Sequence, residues 1–275
     1  MQISDACILC NSRYAKRVLV KGSWSIVKCE GCGLIYVSGH HAISKAGLQD
    51  LYDKDYFTGE TYKNYVDEYA ERARLFNSKF NLLKGHLPRL GRLLDVGAAT
   101  GFFLDGARRN GYEVFGIEIS EFASTYAREH LNLNVITGQI EDARFPSEYF
   151  DIITMWDVLE HLPNPVQALQ HARRLLKPSG ILVIETLDVN CLNAKILRGR
   201  WPLFAPPLHL FYFSKTTLRL LLSLTGFRMS EVIPIQTYSP LHKHTALRYL
   251  DVPPIARKLL GIFLGDVIIT LANKA

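Results

Sequence analysis

Apolar positions through the middle of the chain come in short, nearly unbroken runs, each bounded by polar residues and followed by a stretch with helical spacing. The runs are Leu93-Leu94-Asp95-Val96, Glu113 to Glu118, Asn134 to Gly138, Phe150 to Trp156 and Ile181 to Ile184. Continuous rather than alternating apolarity suits a strand covered on both faces, so the runs predict a parallel sheet between layers of helix. Helix ends are marked as well. Asn164 is an N-cap, with Pro165 at the first helical position and Gln167 as capping-box partner. Val166, Leu169, Ala172, Leu175 and Leu176 form that helix's buried stripe, and Lys177-Pro178-Ser179-Gly180 stops it before the fifth strand. A second helix follows Ser214, carries Leu218, Leu221, Leu222 and Leu224, and closes at Gly226. Arg228 to Gln236 and Asp266 to Ala272 read as two final strands.

In a parallel α/β sheet ligands bind beyond the carboxyl ends of the strands, so the polar residues there converge on one crevice. Gly97 lets the backbone turn tightly after the first run. Gly101 lets the next helix approach that turn and a ligand without an intervening side chain, and the helix start offers unpaired N–H groups. Glu118 closes the second run 23 positions after Asp95, where a carboxylate can meet ribose hydroxyls. Gln139 follows the third run and Asp157 the fourth. The G-x-x-x-G spacing differs from the dinucleotide fingerprint, so the order of strands around it carries the reading.

This succession, with Asp157-Val158-Leu159-Glu160-His161-Leu162 after the fourth run and Leu175 to Ile184 at the fifth, resembles the class I S-adenosylmethionine-dependent methyltransferases over roughly residues 92–226. The resemblance implies a Rossmann-like α/β fold: a seven-stranded, mostly parallel sheet with an antiparallel last strand, plus helical lid segments. It implies S-adenosyl-L-methionine as cofactor, with Asp95, Gly97, Ala98 and Gly101 at the methionine end, Glu118 and Ile119 at the ribose, and Gln139 and Ile140 at the adenine. Trp156 and Asp157, closing the fourth strand, belong to the same cofactor-binding set. Ala99 stands where the family usually has a third glycine.

Ahead of this core stand Cys7-Ile8-Leu9-Cys10 and Cys29-Glu30-Gly31-Cys32-Gly33, with 18 residues between the pairs. That is four-cysteine zinc-ribbon spacing, and Gly31 and Gly33 suit the turn around the second pair. A closed sulfur shell leaves no position for substrate, so Cys7, Cys10, Cys29 and Cys32 predict a structural Zn; disulfides are the alternative. Cys191 lies alone in apolar sequence and reads as a buried thiol. With 275 residues, 48% of them hydrophobic, the chain fits one α/β domain with small additions. The expected division is a ribbon over 1–40, a helical cap or linker over 41–90, and a methyltransferase domain over 91–275. Within that domain a lid segment occupies about 187–213 and an insertion about 237–265. Met1 to Cys7 lacks the character of a signal peptide, and Asp266 interrupts the apolar run from Leu259 to Leu271, so a cytoplasmic protein without a transmembrane segment is expected.

The net charge of +6 loads the ribbon with Arg13, Lys16, Arg17, Lys21 and Lys28, and the approach to Trp201 with Lys195, Arg198 and Arg200. Nucleic acid, a phosphorylated substrate or an anionic membrane surface would suit these cations; an ordinary solvated face is the preferred reading for the ribbon.

Methyl transfer requires an acceptor lone pair aligned with the methyl group and, for a hydroxyl, a base to take its proton. His161, after the fourth strand, and His209, among prolines and aromatics, are the candidate bases. Asp157, Glu160 and His161 also resemble the acidic-plus-histidine cluster of ubiquinone-biosynthesis O-methyltransferases, where a divalent metal has a role; helix capping and hydrogen bonding account for the same residues. Tyr52, Tyr56, Phe57, Tyr62, Tyr65, Tyr69, Phe76 and Phe80 have helical spacing. Of these, Tyr56, Phe57 and Tyr65 are candidates to roof the cofactor, with core packing as the alternative. Prolines between Trp201 and Phe213 rule out a regular helix and make its aromatics a candidate substrate wall. The whole combination resembles bacterial methyltransferases of polysaccharide, glycolipid or specialised-metabolite synthesis, implying O-methylation of a sugar or similar hydroxylated small-molecule or glycan acceptor. Two rivals stand. One is a ribosomal RNA methyltransferase using the ribbon on RNA, although no Asn/Asp-Pro-Pro-aromatic motif follows the fourth strand. The other is a non-catalytic zinc-ribbon scaffold with a degenerate pocket.

Overall fold

The cysteine pairs flank an antiparallel meander of β1 (Ala15–Lys21), β2 (Trp24–Cys29) and β3 (Ile35–Val37). The computed structural model describes residues 6–59, 69–234 and 266–275. Helices α1 (Lys45–Leu51), α2 (Lys54–Thr58) and α3 (Tyr69–Leu83) lead to the core. There β4 (Arg92–Val96), α4 (Phe102–Arg109), β5 (Glu113–Glu118), α5 (Glu121–Leu131) and β6 (Val135–Thr137) alternate strand with helix. The alternation continues with β7 (Phe150–Trp156), α6 (Pro165–Leu175) and β8 (Leu176–Leu187). After α7 (Leu192–Leu197), β9 (Phe211–Tyr212) and α8 (Lys215–Leu224), the chain closes on β10 (Phe227–Pro234) and β11 (Val267–Lys274).

The main sheet has the order β10-β11-β8-β7-β4-β5-β6, with β11 antiparallel to both neighbours and the pairs from β8 to β6 parallel. This is the expected Rossmann-like sheet with an antiparallel last strand. The chain runs from β4 outward through β5 and β6, then returns to β7 on the other side of β4. The boundary between β4 and β7 is therefore the topological switch point at which such sheets bind ligands. Local signals placed several ends correctly. Asn164 Oδ1 accepts the Gln167 N–H at 3.1 Å, and Ser214 Oγ accepts the Thr217 N–H at 3.2 Å.

Three expectations are corrected. The helix α6 does stop before Lys177 to Gly180, but Leu176, expected in its buried stripe, already belongs to β8, paired with Phe150, and the strand runs on through those four residues, with Lys177 Nζ donating to Asp151 Oδ1 at 2.7 Å. Leu224 lies outside the buried stripe of α8, with 51% of its surface exposed. The aromatics from Trp201 to Phe213 are not a substrate wall; Trp201, Phe204, Phe211, Tyr212 and Phe213 are buried in the core between ribbon and sheet. No helix among the described residues is long and apolar enough to cross a membrane. The expected insertion over 237–265 lies outside the described residues, as do Tyr62 and Tyr65.

A second, four-stranded sheet joins ribbon to core. Strand β9 pairs antiparallel with β3, giving the order β1-β2-β3-β9, and the Val37 N–H donates to Leu210 O at 2.8 Å. Phe211 stacks on Tyr36 and Phe213 and meets the His40 ring edge-on at 4.6 Å. Truncating a fully buried ring leaves a cavity that close packing cannot refill. Phe211→Ala is therefore expected to cost about 3–5 kcal/mol of stability in denaturant titration. A cost under about 1 kcal/mol would mean that this joint carries little of the fold.

Candidate cofactor and acceptor site

Asp95, near the end of β4, is fully enclosed, with Thr154 Oγ1 donating to its Oδ1 at 2.6 Å. Burial raises its carboxyl to about 8; the Thr154 hydrogen bond opposes the rise and the nearby Glu118 charge adds to it. The turn after β4 folds back on β5, with Gly97 N–H and Ala98 N–H both donating to Ile117 O at 2.8 and 3.0 Å. Gly97, Ala99 and Gly101 all have left-handed φ, of 77°, 48° and 85°. Ala99 thus holds the conformation that glycine supplies in the resembling family, at a backbone cost of about 1–2 kcal/mol. A Cβ at Gly97 would lie 2.4 Å from Val158 Cγ2, so that glycine lets the loops after β4 and β7 close on each other. At Gly101 a Cβ would strike Leu133 and Ala127, so its missing side chain admits the α5 region.

Glu118 closes β5 with its carboxylate divided between two turns. Ala99 N–H donates to Oε2 and Ser120 N–H to Oε1, each at 2.8 Å. Burial raises its pKa while these N–H groups pull it down. Ile119 is half-buried beside it. Gln139 is half-buried beyond β6, its N–H donating to Asp142 Oδ2 at 3.1 Å, and Ile140 is buried. Trp156 closes β7, and exposed Asp157 follows at φ 52°, its N–H donating to Glu185 O. The expected cofactor set therefore lines one end of the sheet.

Thr100 Oγ1, Trp156 Nε1 and Glu185 Oε2, all near these strand ends, are buried without a hydrogen-bond partner among the described residues. Buried polar groups are rarely left so, and these three together with the left-handed turn fit a polar ligand such as S-adenosylmethionine. Sequence reasoning did not find Lys79 or Glu185. Lys79 reaches from α3 to place Nζ 2.6 Å from Glu185 Oε1 and 5.0 Å from the Trp156 ring centroid. Burial pulls Lys79 down, but the Glu185, Asp157 and Asp95 carboxylates outweigh it and hold its pKa up. Burial raises Glu185 to about 7, with Lys79 opposing.

Beyond β7, His161 and His209 come together as expected, with ring centroids 4.8 Å apart. His161 Nδ1 lies 2.8 Å from Leu208 O and 2.7 Å from the Tyr52 hydroxyl. A carbonyl can only accept, so Nδ1 carries the proton and Nε2 keeps a free lone pair. Burial, then the neighbouring His209, lowers His161 to about 3, so it is neutral at physiological pH. His209 Nδ1 lies 2.7 Å from Leu203 O, and burial lowers its pKa too. Tyr52 belongs to this cluster, yet its sequence spacing only marked it as helical. Glu160 is buried; Thr186 Oγ1 donates to its Oε2 at 2.8 Å, and its backbone O accepts the Leu210 N–H. Burial and then the Asp157 charge raise Glu160 to about 8. One ligand atom from each of Glu160, His161 and His209 lies within 4.8 Å of the others, and Asp157 is outside that trio.

The four ribbon sulfurs also lie within 4.8 Å of one another, with Cys7 and Cys32 at 3.5 Å and Cys10 and Cys29 at 3.4 Å. No disulfide joins them. A tetrahedral metal with bonds of about 2.3 Å would set sulfurs about 3.8 Å apart, so the arrangement suits such a shell. Gly33 turns at φ 80°, and a Cβ on Gly31 would touch Cys10 Sγ at 3.0 Å. Cys191, as expected, is a buried thiol: its Sγ caps α7 by accepting the Ala194 N–H, and burial raises it to about 12.

A family model described as a methyltransferase domain matches residues 62–232. Among curated proteins, a ubiquinone biosynthesis O-methyltransferase of Alkalilimnicola ehrlichii is 38% identical over 105 residues, which is 36% of this chain and 42% of that protein. The equivalent protein of Azoarcus sp. is 32% identical over 120 residues, 41% of this chain and 51% of its own. The chain thus spans about half the length of the curated relatives it matches. Among solved structures, an S-adenosylmethionine-dependent methyltransferase from Archaeoglobus fulgidus shares the fold with a TM-score of 0.56 at 20% identity, covering 77% of this chain and 100% of that one.

Burial raises the pKa values of Asp95, Glu160 and Glu185 to about 8, about 8 and about 7. A cation entering beside them favours the ionised form and lowers those values. Titration calorimetry of S-adenosylmethionine near neutral pH, repeated in buffers of different ionisation enthalpy, should therefore record net proton release. Uptake of protons would contradict this charge assignment.

Proposed function

Because the chain belongs to the methyltransferase-domain family, we propose that it transfers the methyl group of S-adenosylmethionine to a hydroxyl of a sugar or similar small molecule. The carrying observation is the neutral His161 imidazole, fixed through Nδ1 by Leu208 and Tyr52, on the loop that follows β7 beside the switch point. O-methyl transfer is also the chemistry named for the curated relatives. Bound S-adenosylmethionine supplies an electrophilic methyl carbon. In this reading the Gly97 to Gly101 turn and Asp95 hold its methionine end, and Lys79 offers a cation for a ligand carboxylate. Glu118 retains one lone-pair direction on each oxygen for a ribose hydroxyl. Gln139 and Ile140 border the adenine. His161 Nε2 takes the acceptor's proton as the oxygen attacks in line, and the Leu208 carbonyl steadies the resulting imidazolium through Nδ1–H. His209 packs edge-on against that ring. The four-cysteine cluster holds Zn as a structural centre, with its sulfur positions fully used by the protein.

In this assignment Glu118→Ala raises the dissociation constant for S-adenosylmethionine in calorimetry far more than His161→Ala does. His161→Ala lowers kcat by about 10²–10⁴-fold. Since His161 titrates at about 3 rather than 6.5, kcat at saturating cofactor should stay level as pH falls through 6.5. The same depressed pKa means that the unfolded chain binds a proton that the fold refuses. Stability from this group is present above 6.5 and is lost as pH falls from 6.5 toward 3. Radiolabelled methyl transfer into fractionated cell extracts tests the acceptor class: label in soluble glycans or small hydroxylated metabolites supports the reading, and label confined to RNA overturns it.

A further inference from the structure

One surface of the molecule carries a cluster of cations together with bare aliphatic side chains, with exposed Glu30 at its margin, where the Glu30 N–H donates to Tyr14 O at 3.0 Å. Residues 6–29 contain no Asp or Glu, and neither do residues 189–230. The fold brings parts of these two stretches side by side: a side chain built on Gly199 would meet Leu19 Cδ2 at 3.9 Å. Around this contact Arg13, Lys16, Arg17, Lys195, Arg198 and Arg200 are exposed and Lys21 is half-exposed. Among the described residues no carboxylate forms an ion pair with any of these seven cations.

Aliphatic side chains stand among the cations. Ile196 is 65% exposed, Val20 52%, Val18 42%, Leu192 41% and Leu197 39%. Their exposure has a structural cause. A register shift between Arg17 and Leu19 in the pairing of β1 with β2 leaves Val18 and Val20 outside while Leu19 packs inward. Beside β1, the turn after α7 is pinned from beneath. Trp201 is fully buried, and its Nε1–H donates to Asp266 Oδ1 at 2.9 Å. Cys191 Sγ donates to the same oxygen, and Asn193 Nδ2 donates to Asp266 Oδ2. The turn is thus anchored by three hydrogen bonds to one buried carboxylate, and its aliphatic side chains are exposed.

We propose that this face docks on a bilayer rich in anionic phospholipid, with the cations on phosphates and the aliphatics at the head-group boundary. Charge complementarity selects an anionic partner, and the aliphatics decide which one. A single-stranded nucleic acid would stack its bases on rings, but Tyr14 is the one exposed aromatic among the residues of this face. Ile196, Leu197, Val18 and Val20 gain nothing from a phosphate backbone and gain burial at a lipid boundary. The proposal holds whichever hydroxyl is methylated.

Cosedimentation of the full chain with phosphatidylcholine vesicles, and with vesicles containing phosphatidylglycerol in equal part, tests the proposal. Binding is expected only with phosphatidylglycerol present and should weaken as salt rises. Each cation near such a surface is worth about five-fold in affinity, so Arg198→Glu/Arg200→Glu should weaken binding by about 25-fold or more. Lys16→Glu/Arg17→Glu, on a separate element, should do the same, and Ile196→Asn/Leu197→Asn should weaken binding without changing its salt dependence. All six positions are exposed, and unchanged thermal unfolding of each variant verifies its fold. Equal binding to both vesicle types, no vesicle binding, or charge-reversed variants that bind like the parent would overturn the proposal. Binding of polyuridylate in place of vesicles would overturn it in favour of nucleic acid.

Discussion

A single buried carboxylate holds the two turns of the crevice together. Glu118 takes the Ala99 N–H on one oxygen and the Ser120 N–H on the other, so it ties the turn after β4 to the turn after the neighbouring β5. Both N–H groups belong to turns, where neither helix nor sheet supplies a partner, and leaving such groups buried and unpaired costs about 1–3 kcal/mol each. The tie also supports the left-handed Ala99, a conformation that an L-residue keeps only where its surroundings over-determine it. The backbone of the candidate crevice is thus held by the fold's own bonds, which would reduce the ordering cost of binding a ligand there.

A second set of bonds carries the ribbon into the same end of the sheet. From β3 the Val37 N–H reaches Leu210 O, and the Leu210 N–H reaches Glu160 O, one residue before His161. Leu208, two residues before Leu210, supplies the carbonyl beside His161 Nδ1. From the ribbon side, His40 Nδ1 lies 3.1 Å from Pro163 O, just beyond the histidine. The loop after β7 is therefore gripped on both sides by structure that depends on the ribbon. A cluster of four thiols far from the cofactor crevice in sequence has a mechanical line to the candidate base. That gives the four-thiol cluster a reason to sit beside an α/β core whose own sheet is already complete.

Features with local causes were legible from the sequence. Glu113–Glu118 and Phe150–Trp156 match their expected bounds, and Asn164, Ser214 and Gly226 mark helix ends where expected, because caps and turns are decided by a few adjacent residues. What escaped is what only the fold brings together. Lys79 meets Glu185 across 106 positions and Tyr52 meets His161 across 109, and neither residue carries a mark of its partner. The Trp201 to Phe213 aromatics were misread for a related reason. A wall for substrate and a core beneath a ribbon call for the same side chains, and only the pairing of β9 with β3 distinguishes them. Continuation of β8 through Pro178 and Gly180 likewise depends on its partner β7.

Charge divides the molecule in a way that bears on the proposed transfer. The outer face of the ribbon and the turn after α7 is basic, whereas the carboxyls of Glu185, Asp157 and Asp95 face the Lys79 ammonium at the strand ends. Burial raises Asp95, Glu160 and Glu185 toward protonation at neutral pH, which limits the charge held without a partner. In the proposed transfer a cationic donor beside them would favour their ionised form, and the neutral thioether left afterwards would not. A crevice that buries more acid than its bases neutralise would thereby favour the charged donor over its product.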